Sequence, residues 1–217
     1  MHPAELTILY ADEAMLVLDK PAGLLSVPGR GEDKQDCLSA RAQRLHPDAL
    51  IVHRLDMATS GAMVLARGAA AQRTLNEAFA SRTVTKRYIA VVEGHLAPPA
   101  ESWGVIDLPI IVDWPNRPRR IINHQLGKPS VTRWRVLSHN ADLDTTRVEL
   151  EPVTGRSHQL RVHLLAVGHG IAGDALYGSP RVQALADRLL LHACSLELPH
   201  PVTGQVMRFT SSANFQT

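Results

Sequence analysis

Residues 51–61, IVHRLDMATSG, constrain this chain more than any other segment. Asp56 lies between a basic pair and a Thr-Ser-Gly turn, and an apolar run precedes it. This pattern predicts a carboxylate at a strand end beside cations that keep it ionised, which is how a protein prepares a carboxylate nucleophile. The alternative is that Asp56 only caps a turn or helix, as Asp often does before Thr and Gly. From spacing alone, capping is the more frequent role, and both remain open.

Two distant segments favour the functional interpretation of Asp56. The segment KPAGL, residues 20–24, precedes it, and GRSHQLRVH, residues 155–163, follows it. Together the three segments resemble the pseudouridine synthases of the RluA family, whose signature is His-Arg-Leu-Asp, two free positions and Thr-Ser-Gly. Residues 53–61 fill every fixed position of that signature. The segment DWPNRP, residues 113–118, is similar to the family's name-giving member rather than to its larger relatives.

The predicted elements favour an α+β fold. Strands are separated by single helices and hairpins without regular strand–helix alternation, which argues against a doubly wound sheet. The sequence predicts helices over residues 36–45 and 69–82 and a third that begins near Ser157. The predicted strands cover residues 6–10, 15–19, 86–93, 104–110, 130–137, 145–150, 194–198 and 206–210. The resemblance implies the pseudouridine synthase fold, with a central, mostly antiparallel sheet, flanking helices and a cleft between two halves.

We expect residues 1–217 to form a single pseudouridine synthase catalytic domain. With 45% hydrophobic residues, the chain can bury one substantial core or two small ones. Many members of the family carry an additional RNA-binding domain of the ribosomal S4 type at the N-terminus, and we expect none here. Substrate choice would then depend on the catalytic domain and its basic loops, and we expect a monomer.

Cysteine usage and apolar runs indicate the compartment. Cys37 and Cys194 are far apart and outside a Cys-x-x-Cys spacing, which fits a reduced compartment, and we expect both to be buried or half-buried. The chain lacks the basic start and unbroken apolar run of a signal peptide. No stretch approaches the roughly 20 apolar residues of a membrane span. We therefore expect a soluble, cytoplasmic protein.

Positive charge is clustered rather than abundant. The net charge is +2, from 23 basic and 21 acidic residues. From Trp114 to Ala141 there is no acidic residue, and the basic residues in this window are Arg117, Arg119, Arg120, Lys128, Arg133 and Arg135. Such a cluster can follow a phosphate backbone and predicts RNA binding that weakens with salt. A solvated loop that binds nothing is an equally open alternative.

The resemblance also implies which residues act on the substrate. Asp56 is the expected nucleophile in the conversion of uridine to pseudouridine. Arg161 falls at the family position that pairs with the catalytic carboxylate, and Tyr88 falls at that of the tyrosine lying against the target base. Without the resemblance, Arg161 would be interpreted as a surface arginine bound to any acid, and Tyr88 as a core aromatic.

A uridine in a folded RNA loop has to leave its stack before a buried carboxylate can reach it, at a cost of roughly a few kcal/mol. By resemblance, Arg54 enters the space that the base vacates. Arg156 would meet a phosphate at the start of the predicted helix, with ordinary loop solvation as an equal alternative. The other expected RNA-binding residues are His53, Thr59, His158, Arg117, Arg119 and Arg120. The residues expected to give structural support are Lys20, Pro21, Gly23, Leu191 and His192.

We expect no cofactor and no metal. The isomerisation involves no redox or phosphate chemistry, and the sequence has no dinucleotide-binding, P-loop or His-Glu-x-x-His motif. His158, His163 and His169 are spaced so that they do not share a helix face. The implied partners are RNAs, namely the anticodon stem-loop of tRNA and a hairpin of 23S rRNA. Alternatives are an enzyme for one of these RNAs only, a non-catalytic RNA-binding module, or a retaining glycosidase, which needs a second positioned carboxylate.

Overall fold

The computed structural model describes residues 6–215. Within that range the chain forms four α-helices, which are α1 (Leu38–Leu45), α2 (Gly68–Ala80), α3 (Gln159–Ala166) and α4 (Pro180–Ala184). A 3₁₀ helix covers Glu32–Lys34. The first six strands are β1 (Thr7–Ala11), β2 (Met15–Lys20), β3 (Ala49–Ile51), β4 (Ser60–Arg67), β5 (Thr85–Glu93) and β6 (Gly104–Asp107). The other six are β7 (Ile110–Val112), β8 (Arg120–Ile122), β9 (Val131–Asn140), β10 (Thr145–Pro152), β11 (Leu191–Pro199) and β12 (Val206–Thr210).

The described residues divide into two compact units. Unit 1 consists of residues 6–86 and 193–213, and unit 2 of residues 87–192 and 214–215. Strands β5 and β11 each contribute residues to both units. Asp56 therefore belongs to unit 1, and Tyr88 and Arg161 belong to unit 2.

Unit 1 has the strand order β1-β2-β4-β11, with β3 paired to β4 and β12 paired to β11. Helix α2 packs one apolar stripe on this sheet, because Leu75 and Ala78 are buried and Phe79 packs against the same core. The antiparallel register of β2 and β4 places Lys20 opposite Gly61. This register brings the KPAGL segment to the start of β4, directly after the Asp56 segment.

Unit 2 has the strand order β5-β10-β9-β6, with antiparallel neighbours. Along β10, buried Val148 and Leu150 alternate with half-buried Glu149 and Glu151, so one face of the sheet is apolar and the other carries charge. Strands β7 and β8 form a separate antiparallel hairpin. Helix α3 follows β10 and carries Arg161.

The α+β class and the mostly antiparallel sheet are confirmed, since every strand pair with a described register is antiparallel. The three predicted helices exist, with shifted starts. Helix α1 begins at Leu38 because Cys37 is its N-cap, where the Sγ atom accepts the Ala40 N–H at 3.4 Å. Helix α3 begins at Gln159 because His158 has a left-handed backbone, with φ of 57°.

Strand β4 has no counterpart among the predicted strands. Its first seven residues are buried, so both faces are apolar and the alternation typical of a half-buried strand is missing. The predicted strand 104–110 is interrupted at Leu108-Pro109, because proline cannot donate to a strand ladder. The short strands β3, β7 and β8 and helix α4 were also not predicted.

Two expectations about the whole chain stay predictions, namely a single domain and a cleft between two halves. The terminal segments 1–5 and 216–217 of the predicted domain lie outside the described residues. Among the described residues, Cys37 and Cys194 form no disulfide, and they are buried and half-buried respectively, as expected. Across the part of the chain that is described, no helix is both long enough and apolar enough to cross a membrane.

Candidate active site

Asp56 lies in the connection between β3 and β4. A turn follows it, because the Asp56 carbonyl oxygen accepts the Thr59 N–H at 3.1 Å. The Asp56 side chain is half-buried, whereas Arg54 is exposed. Gly61 has φ of +114°, and a Cβ atom there would lie 2.3 Å from the Ala193 carbonyl oxygen, so only glycine fits. The turn and Gly61 together fix the path of the chain after Asp56.

The KPAGL segment contacts the residue that follows Asp56. Lys20 is fully buried, and its Nζ donates to the carbonyl oxygens of Leu24 at 2.7 Å, Pro21 at 2.9 Å and Met57 at 3.1 Å. The Gly23 N–H donates to the same Met57 oxygen at 2.8 Å. Two donors of the KPAGL segment therefore hold the carbonyl group of Met57, the residue that follows Asp56.

A second contact holds the residue before Asp56. The Ser26 hydroxyl donates to the Leu55 carbonyl oxygen at 2.6 Å and accepts the Leu55 N–H at 3.1 Å. Burial lowers the pKa of Lys20 to about 8, while the nearby Asp56 carboxylate partly opposes this by favouring the ammonium. The backbone on both sides of Asp56 is thus braced by side chains of one preceding loop.

His53 and Thr59 were expected to bind RNA. In the structure, His53 has contacts within unit 1 and Thr59 is buried. His53 Nε2 accepts the Val64 N–H at 3.0 Å, and the ring stacks on Phe79 with 4.6 Å between centroids. Burial, together with the positive charge of Lys86, lowers the pKa of His53 to about 3, so the imidazole stays neutral and keeps its acceptor. Thr59 is buried. Both residues therefore help to shape the segment, and their contacts with RNA stay predictions.

Arg161 forms a buried ion pair in unit 2. Its Nε and Nη2 atoms donate to the two carboxylate oxygens of Asp174 at 2.8 and 2.6 Å, and the side chains are 6% and 2% exposed. The Tyr177 ring lies 4.9 Å from the guanidinium carbon. Burial alone would raise the pKa of Asp174, but Arg161 and two backbone N–H donors hold it below its usual range. The interpretation of Arg161 as a surface arginine is wrong, and its pairing with Asp56 stays a prediction.

A buried polar network fixes the chain at the start of α3. Gln159 Oε1 accepts the Thr154 hydroxyl at 2.7 Å and the Arg156 N–H at 3.0 Å. Gln159 Nε2 donates to the Val131 carbonyl oxygen at 2.9 Å and to Thr132 Oγ1 at 3.0 Å. The Arg156 side chain is exposed. The network therefore fixes the backbone of Arg156 and the helix that carries Arg161.

Tyr88 lies on β5, opposite Leu150 of β10. It is half-buried, so it is not fully covered as a core aromatic would be. The preceding residue, Arg87, forms an ion pair with Glu151 at 2.6 Å. The charge of Arg87 is therefore compensated within the sheet.

The basic hairpin, residues 110–122, contains the three arginines expected to bind RNA. Trp114 near its tip is 66% exposed, and the Arg117 guanidinium lies 4.3 Å from the Trp114 ring centroid. Arg119 is exposed and Arg120 half-buried. The hairpin therefore presents an aromatic ring and several cations at the surface of unit 2.

Two of the six basic residues in the Trp114–Ala141 window are compensated by acids outside it. Arg133 pairs with Glu151 at 2.7 Å, and Arg135 pairs with Glu149. The register of β9 and β10 places each arginine directly opposite its glutamate. Glu151 also pairs with Arg87, so three arginines share two carboxylates and the positive charge of this part of the sheet is only partly offset.

The remaining predicted site residues have structural contacts in unit 2. His158, which precedes α3, shares a 2.6 Å hydrogen bond with the Tyr177 hydroxyl. Leu191 and His192, at the start of β11, are buried. The His192 ring lies edge-on to Phe215, with 6.5 Å between centroids. These contacts position the chain, and the assigned roles stay predictions.

His163 is one of the three histidines that were weighed as metal ligands, and both of its ring nitrogens lie within hydrogen-bond distance of oxygen atoms in unit 2. Among residues 6–215, no group of three or more His, Cys, Asp or Glu side chains could hold a metal ion. His163 is fully buried, with Nδ1 2.9 Å from Thr132 Oγ1 and Nε2 2.9 Å from the Leu108 carbonyl oxygen. Burial lowers the pKa of His163, in keeping with a neutral ring that stabilises the fold.

Two positioning residues were missed in the sequence, namely Asp174 and Tyr177. Asp174 is 13 residues from Arg161, too far for helical spacing to link them. One signal was available, since a lone acid follows the apolar pair Ile171-Ala172 and Gly173. An isolated carboxylate after an apolar run needs a buried partner, and Arg161 supplies it.

Comparison with known proteins identifies the protein family to which this chain belongs. The model of the RNA pseudouridylate synthase family matches residues 14–166, and the chain belongs to this family. It is 51% identical to the dual-specificity RNA pseudouridine synthase RluA of Escherichia coli (strain K12) over 210 residues, which cover 97% of this chain and 94% of that protein. It is 50% identical to the protein of the same name from Yersinia pestis over 208 residues, covering 96% and 99%.

Solved structures agree with this assignment. The structure of human RNA pseudouridylate synthase domain containing 1 superimposes with a TM-score of 0.79 at 31% sequence identity, covering 98% of this chain and 86% of that one. The pseudouridine synthase fold and the RluA family expected from the motifs are thereby confirmed. The chain is an isomerase that acts on RNA.

Proposed function

We propose that Asp56 is the nucleophile with which this enzyme isomerises uridine. The observation that carries the proposal is the bracing of Leu55 and Met57, the two residues next to Asp56, by Lys20, Gly23 and Ser26. Catalysis by an attacking group depends on such positioning, because a misplacement of about 1 Å can cost roughly 100-fold in rate. A surface turn that only capped a strand would not need a buried ammonium beside it.

The reaction breaks the bond from ribose C1′ to N1 of uracil and forms a bond from C1′ to C5. N1 gains a proton and C5 loses one, so the reaction is balanced without a cofactor. Asp56 attacks the nucleotide while the glycosidic bond breaks, and the bond to Asp56 is broken again before the product leaves, which regenerates the carboxylate. Arg161 and Tyr88 serve the same step, the first as a cation for the carboxylate and the second as a ring surface for the detached base.

The RNA partners are proposed to be the tRNA anticodon stem-loop and a 23S rRNA hairpin. The E. coli relative is named a dual-specificity enzyme, which supports two substrates. Exposed Arg54 is suited to replace the flipped base, and exposed Arg156 and the basic hairpin are suited to contact phosphates. We propose that the protein acts as a monomer in the cytoplasm.

The test incubates purified protein with transcripts of both RNAs and maps pseudouridine by selective chemical labelling and reverse transcription. We expect one modified uridine in each hairpin and no product with Asp56→Ala. The control is Asp36→Ala, which removes an exposed carboxylate paired with Arg41. Normal modification by Asp56→Ala would refute the nucleophile, and product in only one transcript would refute the dual specificity.

A further inference from the structure

Residues 174–178 form a tight turn in unit 2 that is held by its own hydrogen bonds. Asp174 Oδ1 accepts the N–H groups of Leu176 and Tyr177, each at 3.0 Å. The Gly178 N–H donates to the Asp174 carbonyl oxygen at 2.8 Å. Gly173, directly before the turn, has φ of +72°, and a Cβ atom there would lie 1.9 Å from the Arg188 carbonyl oxygen. The turn is therefore a rigid support.

One side of this turn holds Arg161. The Asp174 carboxylate pairs with the guanidinium through two hydrogen bonds, and the Tyr177 ring lies against it at 4.9 Å. Such a cation–π contact is stronger when the cation is desolvated, and Arg161 is buried. The orientation of Arg161 therefore depends on residues 174 and 177 together.

The other side of the turn holds the basic hairpin. The Tyr177 hydroxyl accepts the Arg120 N–H at 2.8 Å and shares a 2.6 Å hydrogen bond with His158 Nδ1. The Arg119 guanidinium donates to the Leu176 carbonyl oxygen at 2.5 Å. The register of β7 and β8 places Arg120 opposite Val112, so these contacts hold the second strand of the hairpin at its first residue.

We propose that Tyr177 is a positioning residue that couples the basic hairpin to Arg161: its hydroxyl holds the hairpin, and its ring holds the guanidinium. The inference rests on the proposed function, in which the hairpin contacts RNA and Arg161 serves the reaction. RNA that binds the hairpin would thereby also stabilise the turn on which Arg161 depends. One side chain then links substrate binding to the orientation of a catalytic cation.

The test separates the hydroxyl from the ring in steady-state and single-turnover assays of pseudouridine formation. Tyr177→Phe removes two hydrogen bonds of ordinary strength and keeps the ring, so we expect KM to rise about tenfold and the saturating rate to change less than about threefold. Tyr177→Leu also removes the ring, and we expect the saturating rate to fall about tenfold further.

Two controls exclude a general loss of structure. Tyr10→Phe removes a hydroxyl that donates to Asp12 in unit 1, and we expect wild-type KM and rate. Arg117→Gln/Arg120→Gln removes hairpin charge but keeps the Arg120 N–H that donates to Tyr177, and adding Tyr177→Phe to it should raise KM no further, because the hydroxyl then holds a hairpin that has lost these charges. Circular dichroism melts confirm that every variant is folded at the assay temperature.

The outcomes are distinguishable. Absence of product with wild-type protein would count against the proposed substrates and not against the coupling. Product with wild-type protein, combined with a normal KM for Tyr177→Phe or with additive effects in the hairpin variant, would overturn the coupling. An equal loss of saturating rate in Tyr177→Phe and Tyr177→Leu would overturn the separate role of the ring.

Discussion

The Asp56 segment of unit 1 and the α3 region of unit 2 hold charged side chains by opposite means. Asp56 itself is half-buried, and its neighbours in the chain are fixed by the Lys20 ammonium, which donates to backbone oxygens. Arg161 is fixed through its own guanidinium, which forms two hydrogen bonds to the Asp174 carboxylate. Near Asp56, hydrogen bonds hold backbone carbonyl groups, whereas at Arg161 an ion pair holds the charged side chain itself.

The difference determines how each region responds to pH. Burial lowers the pKa of Lys20 to about 8, so its ammonium can be lost under mildly alkaline conditions. The pKa of Asp174 is held below its usual range, against the effect of burial, by Arg161 and backbone N–H groups, so this pair stays charged in the same conditions. The comparison predicts that alkaline pH weakens the support of Asp56 and leaves that of Arg161 intact.

The largest effect on stability is expected from breaking the buried ion pair. Asp174→Ala leaves the Arg161 guanidinium buried without its carboxylate, so we expect the free energy of unfolding to fall by about 3–5 kcal/mol. Urea denaturation measures this change. The matched control Asp36→Ala removes an exposed carboxylate paired with Arg41 and should cost much less.

A double variant then separates stability from catalysis. Arg161→Met/Asp174→Leu replaces the pair by apolar side chains, which is often neutral for stability, so unfolding should recover most of the loss. The rate of pseudouridine formation should not recover, because the cation is missing. Recovery of the rate together with stability would make the pair structural only.

A smaller effect on stability is expected from the peptide brace. Lys20→Met removes a buried charge but leaves three carbonyl oxygens without this donor, so we expect a loss of about 1–3 kcal/mol. The saturating rate should fall by roughly 10- to 100-fold, because the carbonyl oxygen of Met57, the residue after Asp56, loses one of its two donors. Exposed Lys34→Met is the control, and an unchanged rate in Lys20→Met would remove this brace from the mechanism.

The direction in which stability and activity change with pH distinguishes the Asp56 segment, which Lys20 supports, from the Arg161–Asp174 pair. The folded pKa of Lys20, about 8, lies below its ordinary value of 10.5, so between these values the unfolded chain binds more protons and the Lys20 contribution to stability becomes more favourable as pH rises. Activity should fall through the same range as the ammonium is lost. Rates and urea midpoints from pH 7 to 10, compared with Lys20→Met, measure both; a rate without an inflection near pH 8 contradicts the brace.

How much could be predicted differs between the two regions. The Asp56 segment is local, and its Thr-Ser-Gly motif predicted the turn that follows Asp56. The nucleophilic role of Asp56 and the link to the KPAGL segment came from the family resemblance, and that role stays a prediction. Helix α2 was predictable because Leu75, Ala78 and Phe79 repeat at helical spacing. Strand β4 was not, because burial of both faces removes the alternation on which the prediction depends.

The contacts of Arg161 and of the basic residues depend on tertiary pairing. Nothing local joins Arg161 to Asp174, and the charges of Arg133 and Arg135 are partly offset by glutamates that become neighbours only in the β9–β10 register. Counting basic residues along the sequence therefore overestimates the positive charge of the protein surface. Register and long-range pairing are the information that one sequence does not contain.

The smallest effect is expected on the basic hairpin, where Arg117 and Arg119 are exposed and Arg120 is half-buried. Arg120→Glu should weaken RNA binding by about tenfold at low salt and reduce the slope of log K against log salt by about 1, because one phosphate contact is lost. Filter binding at several salt concentrations measures both. Arg181→Glu, which changes an exposed arginine already paired with Asp144, should leave the slope unchanged. Equal slopes for wild type and Arg120→Glu would mean that RNA does not follow this hairpin, and the positive charge of unit 2 would then have to act elsewhere.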